Sequence, residues 1–328
     1  MSCSTIFATR LRRGCAAAAC FVAIAVLGPP ASQAQTANPG TANAASSIAT
    51  PGDHTGTLMH AGVKRLYRVH VPASYSPSQP MPLVLALHGG GGNMDIQAED
   101  KFYGQIAMAE QAGYIVVFPN GASRFPRGRL ATWNAGGCCS YARESNSDDV
   151  GFLRALVAHL RTQLAIDPKR VFANGMSNGG MMAYRLACEA PDVFRAVAAV
   201  AGTDNTRSCT PASPVSVLHI HARDDDHVMF GGGPGPKARE AVPYVSVNDT
   251  VAKWVRLNGC SPTPRRVLDA PGAMCEAYTA CRGDTQVQLC VTETGGHSWP
   301  GGVKPRSEVA GSTAISAAQT IWDFFSAR

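Results

Sequence analysis

Short apolar runs alternate along the chain with segments of helical periodicity, and this alternation constrains the fold more than any other feature. The runs have the length of strands that are buried on both faces, and they occupy residues 82–87, 114–118, 171–174, 196–201 and 215–221. A last strand is expected at residues 286–292. Because strands separated by helices pair in parallel, the sequence predicts an α/β fold with a mainly parallel central sheet and helices on both faces.

The predicted helices lie between these strands and at the end of the chain. They cover residues 99–112, 148–160, 178–188, 247–257 and 312–325. Ahead of the first buried strand, residues 54–61 and 64–71 alternate like a hairpin that opens the sheet. No internal repeat or second linker interrupts the pattern, so we expect residues 52–328 to form one domain.

The first 34 residues have the pattern of a signal peptide. Three arginines within positions 10–13 precede an apolar segment at residues 15–28, and a small-x-small cleavage site follows at residues 32–34. The apolar segment is too short to span a bilayer, so we expect a secreted or periplasmic protein with no membrane span. Residues 35–51 are small and polar, and we expect them to form a disordered leader.

The charge of the chain argues against a nucleic-acid partner. The formal net charge is +6, from 29 Lys and Arg against 23 Asp and Glu. Three of the basic residues lie in the signal segment, which carries no acid, so the remaining balance is 26 against 23, or +3. An excess this small is not typical of a nucleic-acid-binding surface.

Eight cysteines follow the predicted cleavage site. An even number in an exported chain predicts disulfides. Residues 276–289 are predicted to form a hairpin, which brings Cys275 close to opposite Cys290 and leaves Cys260 to pair with Cys281. For the other four, three pairings stay open: Cys138, Cys139, Cys188 and Cys209.

No metal site is expected. The chain after the cleavage site contains no Cys-x-x-Cys pair, the spacing that typical zinc sites use. His219 and His221 alternate within a predicted strand, where packed core imidazoles are favoured over a metal-binding pair.

A G-x-S-x-G pattern at residues 175–179 occupies the turn between a predicted strand and the helix that follows. Its two glycines permit a sharp backbone turn, which exposes the Ser177 hydroxyl above the sheet. The N–H groups of the helix's first turn face any anion that develops there. This setting favours a nucleophilic serine over a glycine-rich turn with a capping serine.

A serine hydroxyl needs a base that takes its proton and an acid that orients the base. In folds with this turn, the chain order is serine, acid, histidine. His297 lies between the last predicted strand and the last helix, so it is the expected base, with His227 as its competitor. The candidates for the acid, among which spacing does not choose, are Asp224, Asp225 and Asp226.

The glycine run after the first buried strand is expected to supply part of an oxyanion hole. A phosphate-binding loop is the alternative, but no Gly-Lys-Ser/Thr follows the run. Backbone N–H groups in a glycine run can approach an oxyanion closely. The expected donors are the N–H of Asn178 and that of Gly89 or Gly90.

These patterns occur together with others in a combination that resembles a known family. The segments are LHGGGGN at residues 87–93, TWNAGGCCSYA at 132–142, DDVGF at 148–152, NGMSNGG at 174–180 and GGHSWPGG at 295–302. The set is similar to the secreted α/β-hydrolases grouped as polyhydroxybutyrate depolymerase-like and feruloyl-esterase-like esterases. The resemblance extends from about residue 52 to the C-terminus.

The resemblance implies roles for individual residues. Members of the family show H-G-T-x-D-x-x-V at the acid loop, which aligns the acid with Asp225, although Ala222 and Arg223 replace the Gly-Thr. The same alignment assigns the oxyanion donor to Gly90. The implied activity is ester hydrolysis by Ser177 through an acyl-enzyme, with no cofactor.

The substrate stays open between oligomeric or polymeric esters of hydroxyalkanoic or aromatic acids. Arg124, Arg127 and Arg129 cluster in a long loop, either as a solvated basic surface or as a binding strip for an anionic substrate. A poly(aspartic acid) hydrolase, similar in family, would use such a strip to bind its polyanionic amide. Trp133 and Trp299 are expected either to flank the pocket or to pack in the core.

A function of a different class is a non-catalytic protein of the same fold that only binds ligands. The Ser–Asp–His order of the chain argues against this alternative.

Overall fold

Ten strands form one sheet within residues 48–238, 240–305 and 310–328, which are the residues that this computed structural model describes. They are β1 (Gly52–His60), β2 (Val63–Val71), β3 (Met81–Leu87), β4 (Ile115–Pro119), β5 (Ile166–Met176), β6 (Ala196–Val200), β7 (Ser216–Ala222), β8 (Arg265–Ala270), β9 (Ala273–Tyr278) and β10 (Val287–Thr292). Their order across the sheet is β1-β2-β4-β3-β5-β6-β7-β10-β9-β8.

The six strands in the middle of the sheet, from β4 to β10 in that order, run parallel to one another. Antiparallel strands flank them at both edges, with β1 and β2 on one side and β9 and β8 on the other. The predicted mainly parallel sheet is therefore confirmed, as is the hairpin that opens it.

Helices cover both faces of the sheet. In the described part of the chain they are α1 (Met94–Gln97), α2 (Asp100–Tyr103), α3 (Gln105–Ala112), α4 (Ser140–Glu144), α5 (Asp149–Arg161), α6 (Asn178–Glu189), α7 (Val247–Asn258) and α8 (Ala317–Ser326). Strand β3 divides its side chains between two cores: Leu83, Leu85 and Leu87 pack with α5, α6 and α7, whereas Val84 and Ala86 pack with α3 and α8. Alternation on a doubly covered sheet explains why such strands are apolar throughout.

The helix predicted at residues 99–112 is broken in two at Gly104. This residue has a φ of 62°, in the left-handed region that ends helices. The Asp100 carboxylate accepts hydrogen bonds from the N–H groups of Ile106 and Ala107, which begins the second helix. The last helix also begins later than predicted, at Ala317, because Ser316 caps its N-terminus.

Strand β8 was not predicted from the sequence. It is an edge strand that pairs only with β9, and most of its side chains are exposed, including Val267. Its sequence, RRVLDA, shows no alternation of apolar and polar residues, so the pattern that indicates the other strands is absent here.

The predicted signal peptide at residues 1–34 and residues 35–47 of the predicted leader lie outside the described residues. Ile48 is buried against the core, so the folded chain begins earlier than Gly52. Among the described residues, no helix has the length and apolar character needed to cross a membrane.

Disulfides join the eight cysteines of the described residues in four pairs. Cys275 and Cys290 lie opposite each other on β9 and β10 and are bonded, and a second bond joins Cys260 to Cys281. For the four cysteines with open pairings, the structure pairs Cys188 with Cys209 and pairs the neighbours Cys138 and Cys139.

Loss of the Cys275–Cys290 bond is expected to lower the melting temperature. It closes a 15-residue separation in the chain, for which loop-closure entropy gives about 3 kcal/mol of stabilisation. Thermal unfolding of the double variant Cys275→Ser/Cys290→Ser, compared with the wild type, measures the effect. Peptide mapping without reductant that joined Cys275 to Cys260 or Cys281 would contradict the pairing.

Candidate active site

Ser177 lies at the turn between β5 and α6, in a backbone conformation that glycines make possible. Its φ of 54° and ψ of −119° project the side chain from the carboxyl end of the sheet. A Cβ atom on Gly175 would lie 2.4 Å from the backbone carbon of Gly179, and one on Gly179 would lie 2.2 Å from the carbonyl oxygen of Leu87. The two glycines of the predicted pattern are therefore required by close packing of helix on strand.

Three side chains from different loops meet at this edge of the sheet. The Ser177 Oγ lies 2.9 Å from His297 Nε2, and His297 Nδ1 lies 2.8 Å from Asp225 Oδ2. The loops follow β5, β7 and β10, all parallel strands, so their carboxyl ends bring the three residues together. A proton can pass from the hydroxyl to the imidazole while the carboxylate fixes the ring's tautomer.

Asp225 is buried but remains ionised. Burial disfavours its charge, yet hydrogen bonds from His221 and His297 outweigh burial and hold the pKa of the Asp225 carboxyl well below its usual range. Its Oδ1 also accepts the backbone N–H groups of His227 and Val228, each at 2.9 Å. The carboxylate is thus fixed at both oxygens.

The neighbouring aspartates have other partners. The Asp224 carboxylate accepts the N–H groups of Gly295 and Gly296, the latter at 2.7 Å, and so ties the loop that carries His297 to the end of β7. Asp226 forms an ion pair with Lys237 at 2.7 Å. Asp224 therefore helps to position the loop that carries the base, although it is not itself in contact with His297 Nδ1.

His227, the competitor for the base, is stacked on His297 and does not replace it. The two ring centroids are 4.6 Å apart, and His227 Nδ1 lies 2.6 Å from Asp226 Oδ1. Burial and the proximity of His297 lower the pKa of His227. Ligand atoms of Asp225, His227 and His297 lie within 4.8 Å of one another, as a metal site would need. However, Asp225 and His297 are already hydrogen-bonded to each other, and His297 is also bonded to Ser177.

The expected oxyanion donors lie beside Ser177. Asn178 is the first residue of α6, where an N–H has no acceptor within the helix. The Gly90 backbone lies alongside, since a Cβ there would be 3.6 Å from the Asn178 Cβ. In the same run, the N–H groups of Gly91 and Gly92 donate to the carbonyls of Ala131 and Gly89, which leaves Gly89 and Gly90 as the candidates, and the family resemblance favours Gly90.

A buried network behind the glycine run was not expected from the sequence. Burial lowers the pKa of His88 to about 4, so the imidazole is neutral near pH 7. Its Nδ1 donates to the carbonyl of Gly89, and its Nε2 accepts the N–H of Gly121. Asn178 forms two hydrogen bonds with the backbone of Trp133, at 2.7 and 2.9 Å. These contacts fix the glycine run to the start of α6.

Neither tryptophan lines the site, which corrects the interpretation that they flank the pocket. Trp133 is fully buried, and its indole N–H donates to the carbonyl of His88. Trp299 is buried as well and packs edge-on against Tyr103. Both serve the core because their loops turn the rings inward.

Two cavities meet at Ser177. The larger, of about 910 Å³, has the aromatic residues Phe125, Tyr141 and Tyr244 in its wall. The smaller has a volume of about 540 Å³ and is lined by Tyr103 and Lys304 among others. Four residues line both cavities: Gly90, Ser177, His227 and His297. An ester bound across Ser177 can therefore extend one group into each cavity.

The three loop arginines do not form one strip. Arg124 lines the larger cavity, with its guanidinium carbon 5.6 Å from the ring centroid of Phe125. Arg127 lines an adjoining groove of about 570 Å³ instead. Arg129 is exposed and lines none of these cavities.

Comparison with known proteins decides the family. A family described as "Esterase: Putative esterase" matches residues 60–258, more than half of the chain. The chain belongs to this esterase family. The esterase is 30% identical over 237 residues to feruloyl esterase B of Piromyces equi, and this match covers 70% of the chain and 42% of that protein. It is 34% identical over 283 residues to "Putative esterase NocK" of Nocardia uniformis subsp. tsuyamanensis, and this match covers 80% of each.

A solved structure supports the fold of the esterase. Acetyl xylan esterase from Aspergillus awamori superposes with a TM-score of 0.56 at 16% identity, over 83% of this chain and 99% of the other. The predicted α/β-hydrolase fold is confirmed. Together, the family and the arrangement of Ser177, His297 and Asp225 are those of a serine esterase, and they argue against a non-catalytic binding protein.

Replacing Asp225 with Asn is expected to lower kcat by about 10⁴-fold, because an amide no longer fixes the His297 tautomer. The Asp226→Asn variant is a matched control, because Asp226 pairs with Lys237 and does not contact Ser177 or His297, and it should retain most activity. Steady-state kinetics on a p-nitrophenyl ester measures both. Equal losses in the two variants would contradict the assignment of the acid.

Proposed function

We propose that this protein is a secreted or periplasmic serine esterase that hydrolyses carboxylic esters of aromatic acids. The observation that carries the proposal is the hydrogen-bonded triad of Ser177, His297 and Asp225, which lies at the junction of two cavities. The reaction is acyl transfer to a serine, followed by hydrolysis.

In the first step, Ser177 Oγ attacks the ester carbonyl while His297 Nε2 takes its proton. Negative charge then develops on the carbonyl oxygen, and the N–H groups of Gly90 and Asn178 stabilise it. His297 returns the proton to the departing alkoxide, which leaves as the alcohol, and the acyl group stays on Ser177. A water molecule, deprotonated by His297, releases the acid and restores the hydroxyl.

The aromatic residues in the wall of the larger cavity favour a substrate with an aromatic acyl group. Phe125, Tyr141 and Tyr244 offer ring faces and edges to a planar substrate. The match to feruloyl esterase B is in keeping with this choice. The smaller cavity is then left for the alcohol part, which is large in an oligomeric or polymeric ester.

Export is part of the proposal. The signal peptide expected at residues 1–34 would direct the chain out of the cytoplasm. Disulfides such as Cys275–Cys290 persist in oxidising compartments, which supports the same location.

A substrate panel tests the proposal. We expect kcat/KM for methyl ferulate to exceed that for hydroxybutyrate oligomers by about tenfold or more, because the aromatic wall contacts only the former. The Ser177→Ala variant supplies the background rate for each substrate. A preference for hydroxybutyrate oligomers that depends on Ser177 would contradict the aromatic assignment and support a hydroxyalkanoate esterase.

A polyanionic substrate, such as poly(aspartic acid), is a second candidate that Arg124 favours. No ion pair engages this guanidinium among the described residues, and it faces the larger cavity. An Arg124→Gln variant should then raise KM for the anionic polymer several-fold and flatten its salt dependence, with neutral esters unaffected.

The matched control is Arg129→Gln, because Arg129 is exposed and lines none of the cavities at the site. Kinetics of both variants at low and high salt discriminate the outcomes. The same change in both variants, or no hydrolysis of the polymer by the wild type, would rule out this candidate.

A further inference from the structure

A row of three buried side chains leads away from Asp225 into the core. Tyr184 of α6 lies with its hydroxyl 2.7 Å from His219 Nδ1, and His219 Nε2 lies 3.0 Å from His221 Nδ1. His221 Nε2 is 2.8 Å from the carbonyl oxygen of Val228 and 3.4 Å from Asp225 Oδ2. The row therefore ends on the carboxylate that orients His297.

The surroundings of the row are apolar. Tyr184, His219 and His221 are all buried, the two imidazoles are stacked 5.1 Å apart, and the ring of Phe230 covers His221 edge-on. Burial and the neighbouring His221 lower the pKa of His219 well below its ordinary value. A neutral imidazole has one donor and one acceptor, so its neighbours decide which nitrogen carries the proton.

Those neighbours fix one direction for the whole row. The Val228 carbonyl and the Asp225 carboxylate only accept, so His221 donates from Nε2 and accepts at Nδ1. His219 then donates from Nε2 and accepts at Nδ1, where the Tyr184 hydroxyl supplies the proton. Every donor in the row points toward Asp225.

We propose that Tyr184, His219 and His221 are positioning residues for the catalytic acid, a donor chain that holds Asp225 in the place and charge state that His297 requires. The inference rests on the proposed function, because it assigns these three side chains a part in ester hydrolysis. It changes the expectation from the sequence, where the two histidines were packed core imidazoles only.

This donor chain acts through the turn that holds Asp225. His221 binds the carbonyl of Val228, and the N–H of the same residue donates to Asp225 Oδ1. Without the Tyr184 hydroxyl, His219 Nδ1 is a buried acceptor with no donor, and the row loses the hydrogen bond that fixes its far end. The two imidazoles are then free to shift, and Asp225 would move with them relative to His297 Nδ1.

The first test removes only the hydroxyl at the far end of the row. Tyr184→Phe should lower kcat for p-nitrophenyl acetate about tenfold with KM unchanged, as expected for the loss of one hydrogen bond. Tyr114→Phe is the matched control, since its buried hydroxyl donates to the Gln105 carbonyl in the other core. The control should keep kcat within about twofold.

The second test is rescue at His221. Gln places an amide N–H at about the position of imidazole Nε2, whereas Leu supplies none. We expect His221→Gln to keep kcat within about fivefold of the wild type and His221→Leu to lower it about 50-fold. In proton NMR, the resonance of the proton on His297 Nδ1 should move in the Leu variant and in Tyr184→Phe but not in Tyr114→Phe.

The outcomes separate the two claims. Hydrolysis by the wild type that persists in Ser177→Ala would overturn the proposed function itself. If hydrolysis depends on Ser177, two results would overturn the donor chain alone. One is an unchanged kcat in folded Tyr184→Phe. The other is an equal loss of kcat in His221→Gln and His221→Leu with no change in the NMR resonance.

Discussion

The arrangement of the site depends on the hydrogen bonds that one buried carboxylate accepts. Asp225 carries its charge at 4% exposure, and such a charge persists only where hydrogen bonds compensate for the lost hydration. Backbone N–H groups of residues 227 and 228 hold one oxygen, and His297 holds the other. The imidazole is consequently fixed in the orientation in which its second nitrogen faces Ser177.

The parallel sheet brings these groups together and the loops refine their positions. Strands β5, β7 and β10 end at one edge, so the turns that follow them converge there. The strained turn at Ser177 is held by close packing of Gly175 and Gly179, and Asp224 ties the His297 loop to the end of β7. The bond from Cys275 to Cys290 joins the strand that leads into this loop to its neighbour.

The sequence predicted the parts of the structure that have local patterns. Buried strands show as apolar runs, and the setting of Ser177 between strand and helix indicates the sharp turn. Asp225 followed from family resemblance, because three adjacent aspartates are equivalent by spacing. Ring direction has no such pattern, which is why the sequence left Trp133 and Trp299 open between the pocket and the core, where both lie. The exposed strand β8 likewise depends on its pairing with β9. The break at Gly104 is local, but a glycine permits the left-handed φ without requiring it, so the residue alone does not predict the break.

Covalent labelling tests most directly whether Ser177 is an activated nucleophile. A fluorophosphonate reacts with a serine whose proton a neighbouring base removes, and the adduct is located by mass spectrometry of peptides. The account predicts one adduct, on Ser177, that forms in the folded protein and is greatly slowed in a His297→Ala variant. Absence of labelling in folded wild type, or an adduct on another residue, would contradict it.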